Sequence, residues 1–515
     1  MNGSLFKIVL ISVIAILLAI IGGIMSADEK PVSLALAIAP FALAGLYLMK
    51  EKVWYLWILL PFLFIPFPTL YAYSWLLAYT FTLPFYLWNV MIRRSSLTWN
   101  AAPPLDMIVF LMFLHVGWVF LSHPFGIGLN IMEDYYGGKG YIMFLQAFLA
   151  YICLSSLKTS SNELGKILQW AVGLTVFFTL VSTVRFILFP NTAAVADMAA
   201  AAGAGSGEGQ LRNMTFLDIS SLVLRLLVIN YSIWQMIKRP WWILLAALAC
   251  AGIMVSGFRS AIASILILFI TISILYKRWF FSIIAPITGL LLLVFLSSAG
   301  ILKELPFGVQ RTLSAVPFLD VSPQARRDAE ESVRWRVEMW QWALDDREHF
   351  IQDKIFGDGF SRNINILKAN IYEKAYNLSK DQTDFAWNGL WHSGPVSTIQ
   401  TLGYVGLTLY TIMSVIGMIY AWIVCRIYRN HKYKLGILYV SALYFVDPIG
   451  FFLIFGDSAA IPQGIISLGI IKVLFSCAKK EGLYISLHVR KEYVPFMIRQ
   501  EKKQSPMPAS PSISG

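Results

Sequence analysis

The chain of 515 residues is expected to fold as an all-α polytopic membrane protein, a class that three observations predict. Hydrophobic residues make up 57% of it and charged residues only 14%, whereas a soluble domain of this size carries nearer a quarter charged residues to clothe its surface. The apolar residues come in blocks of about 18–22, the length a helix needs to cross a hydrocarbon core of ~30 Å. One long polar stretch, roughly Gly300 to Pro395, interrupts the blocks. About 12–14 transmembrane helices are expected, with one large extracytoplasmic loop that contains short helices.

The blocks lie near residues 7–25, 32–49, 53–68, 71–92, 105–121, 141–157, 167–189, 216–236, 241–255, 260–276, 280–298, 396–424, 436–455 and 460–475. The first reads as a retained signal-anchor helix, because Ser26-Ala27-Asp28-Glu29-Lys30 offers no small-residue cleavage site. Pro61, Pro66, Pro68 and Pro84 predict kinks in the third and fourth. The resulting plan places about eleven membrane helices in residues 1–299, the loop in 300–395, the C-terminal membrane helices in 396–476 and a basic tail in 477–515. Pro190 to Gln210, rich in Ala and Gly, reads as a flexible outward loop. Within the large loop, Ala329 to Asp346 reads as an amphipathic helix with Val333, Val337, Trp340 and Leu344 on one stripe. The tail is basic and amphipathic before a Ser/Pro-rich end of disorder-prone composition. No internal repeat of two halves is evident.

The net charge of +12 raises nucleic acid as a partner, but its placement points to the bilayer instead. Lys50/Lys52, Arg93/Arg94, Lys158/Lys166, Lys238/Arg239, Lys277/Arg278 and the run Arg426, Arg429, Lys432, Lys434 all fall in connectors on one side. Positive charge there fixes topology, which puts both termini in the cytoplasm and the large loop outside. Cys153, Cys250, Cys425 and Cys477 lie in or beside apolar segments without CxxC spacing, and read as small core residues.

Arginines on the outward side are the first candidates for chemistry. Arg259 interrupts two apolar blocks at a hairpin, Arg212 precedes a helix, and Arg225 lies within that helix with Asp218 two turns earlier. An arginine at bilayer depth costs roughly 2.5–3.5 kcal/mol on insertion scales, so it faces a partner or a watery cavity; snorkelling and an Arg225–Asp218 pair are the structural alternatives. Arg334 and Arg336 lie in the loop helix. A guanidinium suits diphosphate because its planar fork donates two parallel hydrogen bonds, while a solvated face with Glu338 neutralising Arg334 is the alternative. His392, at the end of the loop, has an imidazole apt for taking the proton of a hydroxyl. A surface or satisfied core histidine is the plainer reading. No second His or carboxylate stands at metal-ligand spacing around it, so no metal site is expected. Gly357-Asp358-Gly359 is too short a glycine signal for a phosphate loop.

Together these residues resemble the O-antigen ligase and polymerase superfamily of bacterial membrane glycosyltransferases. The family pattern is a His followed by Asn, Ser or Gln, nine residues, then Gly-x-x-Gly. Here it reads His392-Ser393, then Gly394 to Leu402, then Gly403-Tyr404-Val405-Gly406. Upstream, Arg336…Trp340 followed by Gly357-Asp358-Gly359 is similar to the family's Arg-x-x-x-Trp helix and Gly-x-Gly turn. Phe258-Arg259-Ser260-Ala261 looks like its Ser-Arg-small hairpin, with Phe258 in place of the serine. Arg212 looks like its earlier arginine, with Leu217-Asp218 where a Pro-Asn is usual.

The resemblance implies a GT-C-like, metal-independent and inverting glycosyltransferase in the bacterial inner membrane that needs no cofactor. Its donor would be a glycan on undecaprenyl diphosphate; its acceptor would be another glycan, lipid A core or a protein hydroxyl. It implies that Arg212, Arg259 and Arg336 hold the diphosphate and that His392 orients or deprotonates the acceptor, with Ser393, Gly403 and Gly406 supporting the motif. A transporter or flippase of polyisoprenoid-linked sugars is the competing class. That class predicts paired halves, mid-membrane charges and short outer loops, against the single long loop found here.

Overall fold

A computed structural model describes residues 49–59, 99–123, 135–136, 138–188, 214–256, 258–276, 279–314, 316–347, 350–360, 362–363, 391–454 and 456–483. The first two apolar blocks, most of the third, the fourth, the Ala/Gly-rich segment, Arg212 and the tail beyond 483 lie outside the described residues.

The described helices are α1 (Trp54–Leu59), α2 (Pro103–Ser122), α3 (Gly138–Ser155), α4 (Ser161–Leu188), α5 (Met214–Asn230), α6 (Ile233–Ile237), α7 (Pro240–Ser256), α8 (Arg259–Leu275), α9 (Trp279–Ser298), α10 (Phe307–Leu313), α11 (Pro323–Leu344), α12 (Gly394–Ile427), α13 (Lys434–Leu453) and α14 (Ala460–Lys480). Besides them, Tyr135–Tyr136 and Arg362–Asn363 pair in a two-residue antiparallel bridge. Apolar stretches in α2, α4, α12, α13 and α14 are long enough to cross a membrane; α3, α7, α8 and α9 contain shorter apolar helices. The chain is an all-α polytopic membrane protein.

α12 is the central post, packed against α2, α13 and α14, while α3 lies along α14 and α4 along α13. A second group, α5, α7 and α8, attaches through α4 and α13. Small residues let these backbones approach, as membrane helices require in the absence of a hydrophobic drive between them. A Cβ at Gly436 of α13 would run into the backbone of Leu168 and Gln169 on α4, and one at Gly417 of α12 into Leu468 and Tyr444. Three of the four cysteines are buried as the sequence implies, but Cys250 is exposed on α7.

Charged residues within the bundle have partners on other helices. Arg225 couples electrostatically to Asp218 on its own helix and also to Asp447 and Tyr439 of α13. The pairing read within one helix thus extends across two.

Lys472 of α14 has a fully buried side chain and forms an ion pair with Asp106 of α2. Its ammonium also donates to Ser155 Oγ at 2.8 Å and sits 4.0 Å from the Trp99 ring centroid. Tyr151 donates to the same carboxylate at 2.8 Å. Removing one partner of such a pair strands the other charge, at a cost of roughly 3–5 kcal/mol. Lys472→Met is therefore expected to lower the melting temperature of the purified protein. Adding Asp106→Leu should restore most of it, as a thermal melt of both variants would register.

Candidate active site

Helix α11 is the spine of the site. Ser322 caps it by accepting from Ala325 N at 3.4 Å, and Pro323 occupies the first turn, where its missing N–H costs nothing. The cap starts the helix six residues before the Ala329 expected from periodicity. The expected stripe divides: Val333 is 50% and Val337 38% exposed, Trp340 and Leu344 pack against a buried cluster, and Ala325, Ala329, Met339, Trp342 and Ala343 are buried. The small residues let α11 lie close to its neighbours, and its far end packs into a cluster with Trp391, Val396 and Ile399. An apolar pattern alone does not tell which face of a loop helix at a membrane surface meets protein.

At that far end Trp340 Nε1 donates to the carbonyl of Trp391 at 2.6 Å, one residue before His392. Trp391 is fully buried and its own indole donates to Gln400 Oε1 at 2.8 Å. His392 follows with φ of 52°, a left-handed conformation that costs a non-glycine residue roughly 1–2 kcal/mol. On its other side Ser393 caps α12, accepting from Val396 N at 3.5 Å. The strained residue is thus anchored on both flanks. Its half-buried ring lies 6.1 Å from that of Trp335, the neighbour of Arg336 on α11. Arg336, half-buried and four residues before Trp340, shares the helix face that reaches Trp391. Arg334 sits apart, exposed and paired with Glu338 at 3.7 Å.

The glycine pattern has a structural cause. Gly403, at φ 69° and ψ −177°, breaks α12 nine residues after Gly394. The break frees backbone groups that must find partners in a water-poor interior, and the turn at residues 353–359 supplies them. Asp358 N donates to Gln400 O at 2.8 Å and Gly359 N to Thr401 O at 3.1 Å. In return, Tyr404 N donates to Lys354 O at 2.8 Å and Val405 N to Ile355 O at 3.1 Å. Leu402 O pairs with His115 Nε2 of α2 at 2.7 Å. Gly357 and Gly359 have φ of 94° and 79°, and a Cβ on Gly357 would meet the backbone of Leu402 and Gly403. Gly406 leaves room for His115, whose Nε2 would be 3.3 Å from a Cβ there. The Gly-x-Gly turn is accordingly a splint docked into a broken helix. The splint holds the first part of α12, and with it Ser393 and His392, at a set angle.

Arg259 opens α8 and reaches the other end of α11, where Nη1 donates to Ala329 O at 3.4 Å. The residue before, Asp328, forms an ion pair with Arg311 of α10. From Ala329 to Arg336 is seven residues, or about 10 Å along the helix. One helix thus gathers Arg259 and Arg311 at its start and Arg336 and His392 farther along. Arg212 lies outside the described residues. Two residues here carry little signal in the sequence. His115 is a lone histidine in an apolar helix, detectable there only as a polar group needing a partner. Arg311 carried no local signal, since Asp328 lies seventeen positions on.

Basic groups at one end and an anchored imidazole at the other suit binding of an anionic leaving group beside a hydroxyl nucleophile. Residues 244–411, which contain Arg259, Arg311, Arg336, His392 and the broken helix, match the family model described as O-antigen ligase. No curated protein matches the chain.

Proposed function

We propose that this chain, whose residues 244–411 match the O-antigen ligase family model, is a member of the O-antigen ligase/polymerase superfamily and transfers or polymerises a glycan from undecaprenyl diphosphate at the outer face of the bacterial inner membrane. The family match supports a glycan-transferring membrane protein of surface polysaccharide biosynthesis. The observation that carries the residue-level reading is the gathering of Arg259, Arg336 and His392 along α11. Topology follows the charge asymmetry of the connectors, with both termini cytoplasmic and the large loop periplasmic or extracellular.

In this reading Arg259 and Arg336, with Arg212, hold the diphosphate. His392 takes the proton of the acceptor hydroxyl as its oxygen attacks the anomeric carbon. The bond to the diphosphate oxygen breaks on the opposite face, the configuration inverts, and the arginines stabilise the charge gathering on the leaving group. Their fixed donors need no reorganisation when that charge develops. The chemistry is metal-independent, and the acceptor is a glycan, lipid A core or a protein hydroxyl.

Deletion followed by a glycan gel tests the reading. Single-repeat core-linked sugar identifies a polymerase; uncapped core with accumulating lipid-linked polymer identifies a ligase. Failure of the glycan to reach the outer face would instead reveal a flippase. Complementation with Arg259→Ala is expected to leave about 10²–10³-fold less product, since one lost donor is commonly worth about 3–4 kcal/mol. Trp340→Phe keeps the ring but removes the bond to Trp391 O. It is expected to slow transfer about tenfold and to lower the melting temperature modestly, because a typical hydrogen bond is worth up to about 1.5 kcal/mol.

A further inference from the structure

The basic end of the site holds an acidic residue that the proposed function does not use. Arg311 and Arg259 converge on consecutive residues of α11: Arg311 forms its ion pair with Asp328, and Arg259 touches the carbonyl of Ala329. Among the described residues, that 3.4 Å contact is the one hydrogen bond Arg259 makes, so most of its five donors are uncommitted. Two guanidiniums and one carboxylate leave this corner with net positive charge. Like charges brought this close repel unless an anion joins them.

The two partners of the ion pair differ in how they are held. The Arg311 side chain is 13% exposed and the Asp328 side chain 44%. Arg311 is enclosed on α10, whereas nearly half of the Asp328 side chain already meets water. If an anion arrives, Asp328 is therefore the partner that leaves.

We propose that Arg311 is a further ligand of the donor diphosphate, and that Asp328 is a built-in stand-in for that diphosphate. Asp328 neutralises Arg311 while the site is empty and gives way when the donor enters. This inference rests on the glycosyl-transfer reading. It adds a binding residue and a device that keeps the arginine pair together before substrate arrives. Asp328 competes with the donor, so its removal and that of Arg311 act in opposite directions. A bridge that merely joined α10 to α11 would make both removals act alike.

The test is binding of farnesyl diphosphate to the full-length protein in nanodiscs, by titration calorimetry. Arg311→Gln is expected to weaken binding about tenfold, the scale of a lost charge-assisted hydrogen bond. Asp328→Asn, which keeps shape and loses charge, is expected to tighten it severalfold. Asp328→Ser serves where the asparagine variant melts early. Two variants that weaken binding together, or that both leave it unmoved, would overturn the stand-in while leaving the enzyme reading intact. If wild-type protein binds no farnesyl diphosphate, this inference and the diphosphate-binding reading fall together.

Discussion

His392→Ala is expected to reduce glycan transfer by several orders of magnitude while leaving membrane insertion and thermal stability near wild type. The imidazole is half-buried, and its ring lies 6.1 Å from that of Trp335, so truncating it empties no fully buried position. The backbone at this position is strained, with φ of 52°. Alanine bears that conformation no better than histidine, whereas glycine bears it freely. His392→Gly should therefore stabilise slightly and be just as inactive. That pairing separates chemistry from architecture: a lost base abolishes transfer in both variants, whatever the direction of the stability change. General acid–base help alone contributes about 10²–10⁴-fold, and loss of acceptor orientation adds to it. Near-normal product from either variant in a glycan gel would remove His392 from the mechanism.

Gly403→Val is expected to be the most damaging substitution away from the reacting groups. Gly403 holds φ of 69° in the middle of a membrane helix, and a Cβ there would collide with the carbonyl of Ile355. A β-branched residue at positive φ is a true outlier. Relief requires either resuming a continuous helix or expelling the 353–359 turn. Both routes break the bonds from Asp358 and Gly359 to α12 and those returned by Tyr404 and Val405. Several backbone groups would then be left unpaired, each costing roughly 1–3 kcal/mol. The outcome to measure is poor yield of folded protein, with complete loss of transfer from whatever remains. A well-folded, active Gly403→Val variant would contradict the account of the broken helix.

The fold class was legible because hydrophobic blocks of spanning length are a coarse signal that tertiary context does not erase. The residues of the candidate site were also visible as a pattern. The His392-Ser393 pair and the two later glycines stand out as a spaced pattern, and Arg259 stands out as a charge between apolar runs. The reason for the spacing was not legible. Nothing local says that Gly357-Asp358-Gly359 docks on a helix some forty residues later, because the pairing is set by backbone groups that every residue carries. The loop helix misled in a specific way. Val333 and Val337 form a tidy stripe yet are exposed, while Met339, Trp342 and the alanines beside them are buried. Lys472 was a missed opportunity, since a lysine within an apolar helix needs a partner and Asp106 opens another such helix. Which acid it meets depends on helix neighbours, and those are set by three-dimensional packing.

In the proposed mechanism, an imidazole and a set of arginines gathered on α11 move a glycan from a polyprenyl diphosphate without a metal. Its most direct test is a reconstituted assay with purified protein in nanodiscs, a lipid-linked diphosphate glycan and a hydroxyl-bearing acceptor, run in excess chelator. Wild-type protein is expected to yield glycan on the acceptor and free polyprenyl diphosphate in equal amounts, and His392→Ala to yield neither. Equal product from the two proteins, or product that appears only when a divalent cation is restored, would contradict it.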